Sequence, residues 1–278
     1  MPELPEIETI RNILKKDLIG KKIDKIDILF KKQFPDEPAL VISAKIVDIL
    51  RTGKVLSIKL SNGKYLNIHL KLSGQLLFAK NANHAVFPQE IPMAASNKLP
   101  ARSTRVVIHF KDGSGLFFNE IRKFGWIKVS DKPERAKGVD VLSSDFTKEY
   151  FQSKMNSSRQ IKIVLMDQDR LAGVGNIYAN DALFEARVNP EKKANLLTKT
   201  ETGHLYEAVK KVIQLGVKYS GSSGGDKMYV LPDGSAGGYQ RYSSVYQKEG
   251  KPCVRCKTLI KRIKQGGRSS FFCPKCQK

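Results

Sequence analysis

The chain opens with MPELPEIET, in which a proline stands directly behind the initiator methionine and a glutamate follows it. Removal of Met1 is expected because the next residue is small, and Pro2 would then carry a secondary amine. An α-amino group titrates at about 7.7 to 8.0. Such an amine can therefore attack carbon at neutral pH, for example C1′ of a sugar, and form an iminium. Glu3 could give or take the accompanying proton. The same two residues also suit a plain lead into a helix.

The four cysteines of the chain have the spacing of a metal site. Their pattern is C-x2-C, sixteen residues, C-x2-C, formed by Cys253, Cys256, Cys273 and Cys276. Two turns that each supply two thiolates complete a tetrahedron around zinc. Because four thiolates leave no open position, we expect one structural zinc ion that stabilises a small finger.

The composition favours a polyanionic partner. The chain has 49 Lys and Arg against 27 Asp and Glu, a net charge of +22. An excess of this size favours nucleic acid first and an anionic membrane surface second. The second alternative has no amphipathic segment to support it. The sequence has neither an apolar run of about 18 residues nor a signal-peptide pattern, so we expect a cytoplasmic protein.

Hydrophobic periodicity predicts the elements that position the N-terminal residues. Apolar residues at helical spacing predict a helix from Pro5 to Ile19. Short alternating runs between Lys21 and Val129 predict seven or eight strands in a β-sandwich or barrel. Residues 80–100 hold three prolines and no clear period, which predicts a long loop.

The second half of the chain has mainly helical patterns in place of the strand patterns. Four helical patterns lie between residues 145 and 220, and a Gly- and Ser-rich stretch, 220–238, is expected to be too polar to pack. We therefore predict an α+β protein of more than one domain. Residues 1–130 would form the β-sandwich, 131–142 a linker, 143–245 a helical domain and 246–278 the zinc finger.

Several segments together resemble formamidopyrimidine-DNA glycosylase, a bacterial enzyme family that removes oxidised purines from DNA. MPELPEIET resembles the start of the family, HLKLSGQL (69–76) its H-L-G-M-S-G segment and NEIRKFGW (119–126) its N-D-P-R-R-F-G segment. LMDQDRLAGVGNIYANDALFEARVNP (165–190) resembles its helix–two-turn–helix, and GGRSSFFCPKC resembles its zinc finger. The resemblance covers almost the whole chain in the right order.

The resemblance implies a bifunctional DNA glycosylase and AP lyase that excises 8-oxoguanine and formamidopyrimidines from duplex DNA. Pro2 would form a Schiff base at C1′, Glu3 would serve as acid and base, and β- and δ-elimination would follow. Lys54 would hold the scissile phosphate, and Arg268 would grip phosphates near the lesion and assist the second elimination. The stretch 220–238 would close over the flipped purine. The family needs zinc but no nucleotide cofactor, and we expect a monomer.

The resemblance also implies DNA contacts. Leu72, Arg122 and Phe124 would fill the space that the flipped base leaves, and Arg122 would read the orphaned cytosine. The expected contacts with the DNA backbone are Lys123, Arg102, Arg105, Arg159, Lys162 and Asn176.

The chain departs from the family pattern in this region. Leu72 stands where methionine is common, Lys123 replaces an arginine, Ile121 a proline and Glu120 an aspartate. Two alternatives remain open. The endonuclease VIII branch prefers oxidised pyrimidines and usually begins PEGPE, whereas Leu4 here favours the purine branch. A DNA-binding relative without catalysis is the other alternative, and intact Pro2, Glu3 and Lys54 argue against it.

Overall fold

The protein is described by a computed structural model that covers residues 2–224 and 228–278. The chain divides into two units. One consists of the chain up to Arg135 together with Tyr219–Gln240, and the other of Ala136–Lys218 and Arg241–Lys278. The first unit holds the β-sandwich and is called the β unit below. The Gly- and Ser-rich stretch lies in this unit, whereas the sequence analysis assigned it to the helical domain.

The first unit begins with helix α1, Leu4–Leu18. Pro5 suits the first turn because its missing N–H has no partner to lose there. Ile7, Ile10 and Leu14 recur on one face and are fully buried. The helix is therefore anchored in the core by the stripe that predicted it.

Ten strands follow α1 in the described part of this unit. They are β1 Ile23–Ile28, β2 Ile46–Thr52, β3 Val55–Leu60, β4 Tyr65–His69, β5 Gln75–Ala79, β6 Ala85–Ile91, β7 Ser96–Leu99, β8 Thr104–Phe110, β9 Gly115–Asn119 and β10 Trp126–Ser130. Two antiparallel four-stranded sheets form, in the orders β1-β8-β9-β5 and β10-β4-β3-β2. Side chains of both sheets and of α1 share one apolar core. The predicted two-sheet sandwich is confirmed.

The expectation of a long loop over residues 80–100 is wrong. Strands β6 and β7 pair as a hairpin, and Phe87 and Ile91 are buried with Leu77 and Phe117 in a second apolar cluster. The three prolines interrupted the alternation of apolar and polar residues that would have predicted strands in the sequence. Pro88 occupies an exposed position of β6, where a missing N–H is tolerated.

The expectation that the stretch 220–238 is too polar to pack is also wrong for its described residues. Tyr229 and Leu231 belong to the main core of the β unit, and Val230 belongs to the hairpin cluster. Residues 225–227 lie outside the described residues.

The second unit holds the remaining elements. They are β11 Val139–Asp140, α2 Lys148–Lys154, α3 Ile161–Leu165, β12 Leu171–Ala172, α4 Asn176–Glu185, α5 Lys199–Lys218, β13 Lys261–Gln265 and β14 Arg268–Phe272. Helix α4 is buried almost all round. Strands β13 and β14 form the hairpin of the predicted finger, so the predicted helical and zinc-finger regions are present. No helix in the described ranges is both long and apolar enough to cross a bilayer.

Candidate functional site

The N-terminal end of α1 is buried together with the two residues that precede it. Pro2 is buried and Glu3 is 1% exposed. The backbone N–H of Glu3 donates to Glu6 Oε2 at 2.7 Å. This bond satisfies one of the donors that a helix start leaves without an intrahelical partner. The predicted nucleophile and its neighbour are therefore held in a fixed, water-poor setting.

The segment 219–240 reaches the same helix end. Ser222 donates its backbone N–H to Glu6 Oε1 at 2.7 Å, and Tyr229 Oη donates to the carbonyl oxygen of Glu6 at 3.4 Å. Burial raises the pKa of Tyr229 well above its ordinary value, and the charge of Glu6 adds to this rise, so the phenol remains a donor. Gly221 has φ +73°, and a Cβ there would lie 2.7 Å from Glu6 Cγ. Only glycine fits this approach.

An ion pair joins the end of β2 to helix α1. Arg51 on β2 contacts Glu8 on α1, with Nε to Oε2 at 2.6 Å, and both side chains are largely buried. The Gly53-Lys54 turn that joins β2 and β3 follows directly, with Gly53 at φ +56°. Pro2, Glu3 and Lys54 all lie in the first unit.

His69 is a further candidate, which the sequence patterns did not predict. It ends β4, and its register partners are Val55, the residue after Lys54, and Trp126. Its Nδ1 accepts the backbone N–H of Lys71 at 2.9 Å. Burial, then the charges of Lys71 and Lys54, lower the pKa of His69 to about 3. The ring is therefore neutral, and Nε2 carries the proton and can donate to an anion. Its position at the head of HLKLSGQL was the available signal.

Leu72, Arg122 and Phe124, the residues predicted to fill the space of a flipped base, are called the wedge residues. They lie on two adjacent loops of the β unit, the wedge loops. Phe124 is 58% exposed, Arg122 is exposed and Leu72 is half-buried. Arg122 Cζ lies 5.6 Å from the centre of the Phe124 ring. A large exposed aromatic side chain beside a cation suits a surface that inserts into stacked bases.

A cationic cavity lies beside this loop. Its volume is about 480 Å³, and Arg102, Arg105 and Lys123 are among the residues that line it. Lys123 Nζ lies 4.6 Å from the centre of the Phe30 ring, and Arg105 Cζ 5.9 Å from it. Arg105 directs Nε to the carbonyl of Glu120 at 2.8 Å and Nη1 to that of Arg102 at 2.9 Å. Arg105 therefore braces the loop, whereas Arg102 is exposed.

The second unit brings Asn176 and Arg268 to the wall of one cavity of about 580 Å³. Asn176 is the first residue of α4, where backbone N–H groups favour an anion. Arg268 is exposed at the start of β14, directly after Gly266 and Gly267. Asn180 links these parts, because its Nδ2 donates to the Asn176 carbonyl at 2.6 Å and its Oδ1 accepts Phe271 N–H at 2.7 Å.

Lys162, which was predicted to contact a phosphate, lies in the interior of the second unit. Its side chain is 1% exposed, and Nζ donates to Ser269 O and Ser270 Oγ, both at 2.7 Å. Lys162 therefore fixes the finger hairpin to α3. Arg159 is exposed and pairs with Asp167 at 2.8 Å, so it remains accessible at the surface.

The four cysteines form a site for one structural zinc ion. Their ligand atoms all lie within 4.8 Å of one another. Zn–S bonds of about 2.3 Å in a tetrahedron imply S–S separations of about 3.8 Å. The Sγ pairs Cys253–Cys276 and Cys256–Cys273 lie 3.9 and 3.4 Å apart, which fits that ion.

Comparison with known proteins agrees with this arrangement. Residues 1–127 match the model for the formamidopyrimidine-DNA glycosylase N-terminal domain, residues 138–227 that for its H2TH domain, and residues 250–278 that for a zinc finger found in FPG and IleRS. The formamidopyrimidine-DNA glycosylase of Pelotomaculum thermopropionicum is 37% identical, with 100% of this chain and 99% of the relative covered. That of Carboxydothermus hydrogenoformans is 36% identical over 100% of both.

Solved structures resemble the chain over its full length. The MutM (Fpg) protein of Thermus thermophilus has a TM-score of 0.85 at 32% identity, covering 99% of this chain and 98% of that one. Lactococcus lactis Fpg in complex with DNA containing an abasic site has a TM-score of 0.85 at 28% identity, covering 100% of both. The fold and sites define a two-unit, zinc-finger protein of the DNA glycosylase class. The chain belongs to the formamidopyrimidine-DNA glycosylase family.

The environment of His69 leads to a pH prediction. Because its pKa in the folded protein is about 3 and the ordinary value is 6.5, His69 adds stability that is complete above pH 6.5 and lost as the pH falls toward 3. We expect the His69 ring resonances to stay those of neutral imidazole between about pH 8 and pH 5. Proton NMR with His69→Gln for assignment measures this. A midpoint near the ordinary value would contradict the described environment.

The cysteine cluster leads to a metal prediction. Purified protein should contain about one zinc per chain, measured by plasma mass spectrometry. Cys273→Ser should lose most of that zinc, because one of four ligands is removed. Val254→Ser is the matched control, since Val254 lies in the same turn and is 57% exposed, and it should keep the metal. Equal zinc in the two variants would contradict the assignment.

Proposed function

We propose that the protein is a bifunctional DNA glycosylase and AP lyase that removes oxidised purines from duplex DNA. The observation that carries the proposal is the buried Pro2–Glu3 pair at the start of α1, held by Glu6. An α-amino group titrates at about 7.7 to 8.0, so part of the Pro2 amine is unprotonated at neutral pH once Met1 is removed. Family membership supports base excision as the reaction class.

The chemistry needs groups of this chain, the DNA and one water molecule for the final step. Removal of Met1, which lies outside the described residues, exposes the Pro2 amine. The amine attacks C1′, the glycosidic bond breaks and the base leaves with a proton. Opening of the sugar transfers a proton from Glu3 to O4′ and leaves an iminium. The iminium acidifies the C2′ proton, whose loss expels the 3′ phosphate. Loss of a further sugar proton expels the 5′ phosphate, and hydrolysis then frees Pro2.

Cationic and neutral donors on each unit would hold the DNA backbone. Lys54 and the neutral His69 share one end of the β unit and suit the phosphate next to the lesion. In the second unit, Asn176 and Arg268 line one cavity and suit a second phosphate, and Arg268 would assist the second elimination. Phosphate contacts add affinity without sequence preference. Such binding suits an enzyme that must scan any sequence.

A lesion must leave the helix before Pro2 can reach it. Leu72 and Phe124 would fill the vacated space, and Arg122 would donate to the orphaned base. The exposure of Phe124 supports this role. The Gly- and Ser-rich stretch 220–238 would cover the flipped base, because its start is joined to Glu6 through Ser222.

The names of relatives and of similar structures support oxidised purines as the substrate class. The curated relatives are named formamidopyrimidine-DNA glycosylases, and one similar structure is MutM with DNA that contains carbocyclic 8-oxo-G. Another is the Lactococcus lactis protein with DNA that contains an oxidised pyrimidine. The second observation keeps the pyrimidine-preferring, endonuclease VIII-like alternative in the test.

Borohydride trapping tests the nucleophile. On a duplex with 8-oxoguanine opposite cytosine, the wild type should yield a covalent adduct. A form that retains Met1 should lower trapping by more than about 100-fold, as loss of a nucleophile does. Pro2→Gly should lower trapping to a smaller extent, because glycine still offers a primary amine. Pro38→Gly is the matched control, because Pro38 begins a short helical turn elsewhere in the unit. A wild type that binds the duplex without an adduct would leave only a DNA-binding relative.

Competing substrates test the lesion class. Excision of 8-oxoguanine opposite cytosine should exceed excision of thymine glycol by roughly tenfold or more, since a site built for one base rejects another that leaves its donors unpaired. Single-turnover rates on otherwise identical duplexes give the ratio. The reverse preference would establish the endonuclease VIII-like alternative.

A further inference from the structure

The buried carboxylate of Glu120 accepts hydrogen bonds from both wedge loops. Glu120 is 1% exposed. Its Oε2 accepts the backbone N–H groups of Phe124 and Gly125, both at 2.6 Å, and its Oε1 accepts that of Arg122 at 2.9 Å. The hydroxyl of Ser73, the residue that follows Leu72, also donates to Oε1.

Each wedge position is therefore tied to this carboxylate. Arg122 and Phe124 are tied through their own backbone N–H groups, and Leu72 through the neighbouring Ser73. A second bond closes the arrangement, because Arg122 N–H also lies 3.3 Å from Ser73 Oγ. A carboxylate offers about four lone-pair sites, and here four donors occupy them. A buried charge is tolerated when it is hydrogen-bonded in this way.

The loop backbone needs such an anchor. Lys123 lies between the two wedge residues with φ +59°, a left-handed conformation that is uncommon for a lysine and persists where surrounding contacts enforce it. At Gly125, a Cβ would lie 2.9 Å from the Phe118 ring and 3.0 Å from the His69 carbonyl. Arg105 also holds the carbonyl of Glu120.

We infer that Glu120 and Ser73 are positioning residues that set the spacing of Leu72, Arg122 and Phe124, and thereby determine how strictly the enzyme discriminates the base opposite the lesion. Neither side chain needs to touch DNA for this effect. The inference rests on the proposed function. Discrimination depends on holding Arg122 in one geometry, because a misplaced donor bonds wrong bases nearly as well as the right one.

The experiment compares excision of 8-oxoguanine opposite cytosine with excision opposite adenine, in single turnovers. Glu120→Gln keeps the volume but replaces an acceptor oxygen with a donor, and Ser73→Ala removes one donor and leaves the carboxylate. Each should lower the cytosine-to-adenine ratio about threefold or more, the effect of weakening one hydrogen bond. Glu120→Asp, which keeps the charge on a shorter stem, should restore part of the ratio.

Ser57→Ala is the matched control. Ser57 is as buried as Ser73, and its hydroxyl donates to Asn67 Oδ1 at 2.5 Å in a strand outside the wedge loops. It should lower the melting temperature to a similar extent but leave the ratio unchanged. Ser73→Ala carries the test alone if Glu120→Gln does not fold.

Trapping on a duplex that already contains an abasic site separates the outcomes. A wild type that traps and discriminates, with variants that trap but discriminate less, supports the inference. Variants that keep the wild-type ratio overturn it and leave the proposed function intact, as does an equal loss in Ser57→Ala. A wild type that forms no adduct overturns the proposed function and this inference together.

Discussion

A buried carboxylate at the start of α1 is the interaction on which the arrangement of the N-terminal end depends. Glu6 is fully buried and accepts the backbone N–H groups of Glu3 and Ser222, one on each oxygen. One side chain thus fixes the residue beside the proposed nucleophile and the beginning of the segment proposed to cover the lesion. The positive end of the helix dipole helps to stabilise its charge. Loss of this carboxylate would release both parts at once.

Carboxylates accept backbone N–H groups in the same way at two other irregular segments of the described chain. Glu120 collects the N–H groups of the wedge loop. In the second unit, Asp181 Oδ1 accepts the N–H groups of Ser244 and Val245, both at 3.0 Å, just before the zinc finger. A loop cannot pair its own donors as a helix or sheet does, and buried donors without partners are costly. Carboxylates on α1 and α4, and one directly after β9, therefore supply acceptors for these loops.

The sequence predicted those features that local chemistry decides. The cysteine spacing, the apolar stripe of α1 and the alternating strands follow from ligand number and periodicity. It failed where distant packing decides. Lys162 reads as a surface cation, yet a hydroxyl and a carbonyl of the finger hairpin hold it in the interior. His69 was missed because its neutrality comes from burial and from two nearby lysines. Tyr229 and Val230 pack because the sheets offer them a core, which the surrounding glycines and serines conceal.

The proposed reaction requires that the imino terminus of Pro2 bonds covalently to deoxyribose. Tandem mass spectrometry of the protein, after borohydride reduction on lesion DNA and proteolysis, locates that bond. We expect the sugar remnant on the nitrogen of an N-terminal peptide that begins at Pro2, with Met1 absent. A remnant on Lys54, or on a peptide that still carries Met1, would contradict it.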